Sequence, residues 1–222
     1  FNYYGAPDAE KVIIVGHSYG TMLGSQYVFE HPDKVLAYIG VGQVVSIESE
    51  IYSYEDALRI ATENGDDTSA METAYHAYVD KGTLVDLINL RKHTSKYHIA
   101  EKAANTMLAG IVSPYMGVDD LKWFFKQVGN LGEYFELNHQ LYDYTMVTDI
   151  QEQGCTYQVP VGFISGSDDW ITPVKYSEDY FQLINAPEKS FCLIDGCGHS
   201  PQYDDPKAFC CELKRMLDEY IK

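Results

Sequence analysis

Four short apolar runs limit how this chain can fold. Residues 11–15 (KVIIV), 35–41 (VLAYIGV) and 159–164 (VPVGFI) are nearly continuous in apolar content, and 190–194 (SFCLI) is a weaker fourth. A strand that does not alternate must be covered on both faces, as parallel strands are when crossover helices lie on either side of them. Helical patterns follow the runs. Residues 21–30 are closed by His31-Pro32, and residues 174–183 come after Thr172-Pro173. Near the end Asp205 can cap a helix with Pro206 at its first position. Phe209, Leu213, Met216, Leu217 and Tyr220 then recur at helical spacing. Strand–helix alternation of this kind predicts an α/β domain with a parallel sheet.

Between residues 46 and 152 the strand-like runs vanish. Helical stretches are expected at 54–63, 69–79, 84–92, 99–108, 118–128 and 132–144, punctuated by glycines, with Ser53 and Asp56 as a capping box for the first. The expected organisation is a core made of residues 1–45 and 153–222, with 46–152 inserted as an all-helical cap over the strand ends.

Composition excludes several classes. Sixteen Lys and Arg face thirty-three Asp and Glu, a formal net charge of −17, and no basic stripe interrupts it. Such a surface repels phosphate backbones, so no nucleic-acid partner is expected. No apolar run approaches the roughly 20 residues of a membrane span. Residues 1–10 do not read as a signal peptide. Cys155, Cys192, Cys197, Cys210 and Cys211 are odd in number and lack paired metal-ligand spacing. They predict neither a disulfide framework nor a metal site, and suggest a reducing, cytoplasmic setting.

The chemistry concentrates at Gly16-His17-Ser18-Tyr19-Gly20, a G-x-S-x-G between a strand and a helix. A sharp strand-to-helix turn needs small flanking residues and projects the Ser18 hydroxyl from the sheet. The Tyr19 backbone N–H, at the helix start, points where an oxyanion would form. Ser18 then requires a base and a group that orients it. Two segments at later strand ends supply candidates: Gly166-Ser167-Asp168-Asp169-Trp170-Ile171-Thr172-Pro173 and Gly198-His199-Ser200-Pro201. Nucleophile, acid, base is the chain order expected on an α/β sheet that places its ligands at strand carboxyl ends.

These segments resemble the α/β-hydrolase family, and within it the proline-iminopeptidase-like branch with a helical cap. The resemblance rests on residues 12–24 (VIIVGHSYGTMLG), 31–43 (HPDKVLAYIGVGQ), 159–173 (VPVGFISGSDDWITP), 180–189 (YFQLINAPEK) and 198–205 (GHSPQYDD). It implies a Ser18–Asp169–His199 triad, because the family acid is the fourth residue of a G-x-x-D-x-x-T-P run; Asp168 is the alternative. The implied activity is a cofactor-free serine hydrolase acting through an acyl-enzyme on small amides or esters, including release of an N-terminal residue from short peptides. The alternative is a non-catalytic, truncated hydrolase-like chain that binds a small ligand.

The same resemblance implies a partial parallel sheet, strands five to eight, since Ser18 in such hydrolases follows the fifth strand. It also implies that the loop giving the second oxyanion N–H has no counterpart here. Losing one such donor typically costs about 10²–10³ in turnover. The strand at 11–15 would then be an apolar edge, and a partner chain or a second copy is expected to cover it.

Weaker signals are assigned bland roles. His17 is expected to be packed or hydrogen-bonded within the turn, and His93 and His98 to lie on a solvated face. Cys197 is expected to be filler. The tyrosines of the inserted region are read as packing or pocket lining, and Glu48, Glu50, Glu133 and Glu136 as solvated acids rather than receivers of a substrate amine.

Overall fold

In the computed structural model, which describes residues 10–98 and 112–221, four parallel strands stand side by side in chain order. They are β1 (Val12–His17), β2 (Val35–Val41), β3 (Val161–Gly166) and β4 (Lys189–Ile194). Helix α1 (Tyr19–Glu30) crosses from β1 to β2. Between β2 and β3 the described residues form α2 (Ser49–Asn64), α3 (Ser69–Lys81), α4 (Leu84–Thr94), α5 (Val118–Gly129), α6 (Leu131–Leu137), α7 (His139–Val147) and α8 (Ile150–Gln153). Then α9 (Val174–Leu183) joins β3 to β4, and α10 (Pro201–Asp204) and α11 (Pro206–Tyr220) complete the described chain.

The continuous apolar runs are explained by cover on both faces. Tyr38 stands opposite Ile14 and Val161, whereas Ile39 stands opposite Val15 and Gly162, so successive residues enter different layers. Tyr38, Val161 and Phe163 pack with Met22 and Val28 of α1 and with Tyr180 and Phe181 of α9. Ile39, Val41, Ile164 and Ile194 pack with Met216 of α11. Each such side chain contributes about 1.5–3 kcal/mol on full burial. On β1 the α11 layer runs out: Ile13 and Val15 are exposed, and among the described residues β1 pairs on one side alone.

The helical insertion carries a third apolar cluster, in which Tyr54, Ala57 and Ala61 of α2 meet Met71 and Ala74 of α3 and Leu90 of α4. Several threads tie it to the sheet. The Ile150 N–H donates to the Val45 carbonyl at 2.8 Å, Tyr144 donates its hydroxyl to Gln26 at 2.6 Å, and Ser46 and Tyr176 hydroxyls lie 2.6 Å apart.

Some boundaries differ from the sequence expectation, each for a local reason. Strand β3 starts at Val161 rather than 159, because Pro160 has no N–H to enter the ladder; its carbonyl accepts from Tyr38 N at 2.9 Å. Helix α2 starts at Ser49, so Ser53 is not a cap: it sits inside the helix and donates its hydroxyl to the Trp170 carbonyl. The stretch 132–144 is broken at Asn138, whose side-chain amide turns back to the Tyr134 carbonyl at 2.7 Å. The expected helix at 99–108 lies outside the described residues, as do residues 1–9.

Candidate active site

Ser18 has φ 54° and ψ −125°, and is the one non-glycine with positive φ among the described residues. That strain is stored where β1 turns into α1 and leaves the side chain at the sheet's carboxyl edge. The turn is tied down by Ser18 N–H donating to the Val41 carbonyl at 3.0 Å. The two flanking glycines are not equivalent. A Cβ on Gly16 would stand 2.5 Å from the Gly20 carbonyl oxygen, so the fold-back excludes any side chain there. A Cβ on Gly20 would meet nothing within 4 Å, so the expectation of steric need on both sides holds for Gly16 alone.

The structure brings Ser18, His199 and Asp169 together from three strand ends. His199 Nε2 lies 2.7 Å from Ser18 Oγ, and His199 Nδ1 lies 3.0 Å from Asp169 Oδ2. With Nδ1–H donated to the carboxylate, Nε2 carries the lone pair that faces the serine hydroxyl. Asp169 is buried, and its carboxylate is satisfied by donors from its own loop. Ile171 N and Thr172 N donate to Oδ1 at 3.0 and 2.8 Å, and the Thr172 hydroxyl donates to Oδ2 at 2.6 Å. Asp168 faces elsewhere. Its N–H donates to the Cys197 carbonyl at 2.9 Å, its side chain accepts from Ser167 at 3.3 Å, and it makes no bond to His199.

Tyr19 is the first residue of α1, so its N–H belongs to the donors a helix leaves without an internal partner. It takes no backbone partner among the described residues. The ring of Tyr19 meets Tyr144 of α7 edge to face, with centroids 6.2 Å apart. His17 is held as expected within the turn: its Nε2–H donates to the His199 carbonyl at 2.9 Å. Burial pushes its pKa below the ordinary histidine value.

Residues that carried no functional signal in the sequence also reach the site. Gly42, at φ +53°, runs directly beneath the imidazole: a Cβ there would lie 3.1 Å from His199 Nδ1 and 3.2 Å from Asp169 Oδ2. Thr172, read as part of a helix start and of the run that carries the acid, holds Asp169. His98 is a correction of a different kind. It is not on a solvated face; its side chain is buried and stacks on Trp170 with ring centroids 5.0 Å apart. It lines a cavity of about 420 Å³ together with Asp168, Asp169 and Trp170.

A second cavity, of about 310 Å³, opens beside Ser18 and Tyr19. Leu84, Leu87, Leu141 and Met146 of the insertion supply an apolar roof, and Ile171 and Thr172 close one side. Tyr142 also lines it, whereas Tyr54 and Tyr75 stack on each other in the insertion and Tyr78 is in its core. Glu50, expected on a solvated helix face, is buried against this cavity and paired with Arg91.

Among the described residues no group of three or more His, Cys, Asp or Glu could hold a metal ion, and no helix is long and apolar enough to cross a membrane.

Comparison with known proteins agrees with this architecture. The chain is 27% identical over 95% of its length to the probable aminopeptidase YbaC of Bacillus subtilis (strain 168), and spans 66% of that relative's length. Among solved structures, the proline iminopeptidase of Mycobacterium smegmatis superposes with a TM-score of 0.55 at 17% identity, over 95% of this chain and 66% of that one. A thermophilic esterase superposes with a TM-score of 0.52 at 17% identity, over 95% and 67%. The sequence profile of the alpha/beta hydrolase fold matches residues 7–206. A match across that much of the sequence, on a parallel sheet with these crossovers, establishes the family: the chain belongs to the alpha/beta hydrolases.

Proposed function

We propose that this chain is a serine hydrolase acting on small amides or esters through an acyl-enzyme. The observation that carries the reading is the continuous hydrogen-bonded line from Ser18 through His199 to Asp169. In acylation Ser18 Oγ bonds to the substrate carbonyl carbon while its proton passes to His199 Nε2. The tetrahedral oxyanion receives the Tyr19 N–H, and the leaving amine or alcohol departs with the proton from His199. Water then repeats the sequence on the acyl-enzyme and releases the acid. Asp169 orients the imidazole throughout, its Oδ1 held by the backbone donors of residues 171 and 172.

The test is labelling with a fluorophosphonate probe, which needs an activated serine but no particular substrate. The intact chain should label, and Ser18→Ala should not. A well-folded chain that stays unlabelled, or equal labelling of Ser18→Ala, overturns the reading in favour of a ligand-binding, non-catalytic protein.

The relative from Bacillus subtilis favours a narrower reading, an aminopeptidase, because its name carries that activity and the likeness runs along 95% of this chain. A panel of amino-acid p-nitroanilides set against acyl esters separates the two: faster turnover of the anilides supports the aminopeptidase.

A further inference from the structure

Among the described residues, the charged side chains lining the cavity beside Ser18 are Glu50 and Arg91. Their roles are unequal. Glu50 is buried, and Arg91 takes both of its oxygens, donating Nε–H to each at 3.1 Å and Nη2–H to Oε1. A substrate ammonium therefore finds no vacant carboxylate on this wall. Arg91 is different: its side chain is 33% exposed, and its Nη1 takes no partner among the described residues. A guanidinium has two forked edges. The Nε/Nη2 edge is engaged by Glu50, which fixes the plane of the group, while Nη1 takes no partner among the described residues and Arg91 lines the cavity.

A fixed, unpaired guanidinium fork in a mostly apolar cleft matches a planar pair of oxygens. The neighbouring walls, Leu84, Leu87, Leu141 and Met146, match a short chain of methylenes between that pair and the carbonyl attacked by Ser18. We propose that Arg91 is a specificity-determining residue of this site, selecting an acyl group that ends in a carboxylate, with Glu50 as the residue that positions it. The proposal rests on the serine-hydrolase reading, names its substrate class, and stands against the narrower aminopeptidase reading, whose substrate carries an ammonium. The chain's net charge of −17 opposes approach of an anion at long range, but that field is screened over about 8 Å at physiological ionic strength, so the local fork decides.

The test compares two esters of equal length, p-nitrophenyl hemiglutarate and p-nitrophenyl pentanoate. The intact chain should show the higher kcat/KM on the hemiglutarate. In Glu50→Gln/Arg91→Gln, which keeps a neutral hydrogen-bonding pair and leaves no buried charge alone, the ratio of the two should fall about 10- to 100-fold, as loss of a charge-assisted bond implies. Arg91→Lys, which keeps the charge but not the fork, should lower the ratio less. An unchanged ratio in the double variant overturns the proposal.

Binding of glutarate by calorimetry reads the same residue without turnover. The intact chain and Ser18→Ala should bind it, and the double variant should not. If no ester is cleaved and no probe labels while this binding difference persists, the hydrolase reading fails and the Arg91 site stands. If glutarate does not bind, or binds the double variant equally, the Arg91 proposal fails whatever the enzyme's activity.

Discussion

Thr172 donates its hydroxyl to Asp169 Oδ2 at 2.6 Å and lies 3.2 Å from His199 Nδ1, so one short side chain braces both the acid and the base. Removing the hydroxyl while keeping the shape isolates that brace. In Thr172→Val the carboxylate loses a charge-assisted bond worth about 1.5–3 kcal/mol. The expected result is a kcat at least about 10-fold lower, together with a melting temperature lower by several degrees. Unchanged kcat would mean that the backbone donors of residues 171 and 172 suffice.

The two adjacent carboxylates make a sharp pair of variants. Asp169→Asn should lower kcat by about 10⁴-fold, because an amide no longer fixes the imidazole in the tautomer that presents Nε2 to Ser18. Asp168→Asn should leave kcat within about 3-fold, a change below 1 kcal/mol, since its contacts are to Ser167 and the Cys197 carbonyl. Steady-state kinetics on one ester decide between them, and the opposite ranking would move the acid to Asp168.

Gly42→Ala tests the floor of the site. The substitution places a methyl 3.1 Å from the His199 ring at a φ of +53°. Backbone strain of that kind costs about 1–3 kcal/mol. Both the melting temperature and kcat/KM should drop. A drop in stability alone would show that the imidazole keeps its place despite the added methyl.

Stability should also depend on pH in a defined direction. His17 and His98 are held below the ordinary histidine value, in each case chiefly by burial. The unfolded chain, with histidines near 6.5, therefore binds more protons than the folded one just below that pH. Stability contributed by these groups is complete above about pH 6.5 and is lost as pH falls toward their folded values. Thermal unfolding followed by circular dichroism between pH 8 and 5 should show a falling melting temperature, with a shallower slope in His17→Gln. Identical slopes would remove His17 from the account.

The insertion should depend on its own core. Leu90 is buried among Tyr54, Met71 and Leu87. Leu90→Ala should destabilise by about 2–5 kcal/mol, as large-to-small core changes do. Arg91→Met should be similarly costly, about 3–5 kcal/mol, because it strands the buried Glu50 charge. The Glu50→Gln/Arg91→Gln pair should cost less than Arg91→Met, and denaturant midpoints measured side by side give the order.

Much was readable before any coordinates. The continuous apolar run at 35–41 predicts a strand covered on both faces, and β2 stands there; the weaker run at 190–194 falls within β4, where Leu193 is exposed. Asp205 and Pro206 mark a helix start by local chemistry alone, and the Asp205 side chain caps Ala208 N. The turn at Ser18 was legible for the same reason, since it is a local solution to a local constraint. Local signals fail where a partner is distant in sequence. Nothing near Ser53 indicates that its hydroxyl meets the Trp170 carbonyl, and nothing near His98 indicates that its ring lies on Trp170.

The sequence by itself determined the layers and the chain order of the candidate nucleophile, acid and base, because periodicity and turn chemistry act over a few residues. Tertiary structure placed Asp169, already favoured by the family pattern, against His199, and it alone decided that Gly42 passes beneath the ring and that Glu50 is locked to Arg91 beside Ser18. Those outcomes depend on segments 30 to 181 residues apart closing on one strand edge. Only packing sets the distances there, and the distances decide which charges and donors meet.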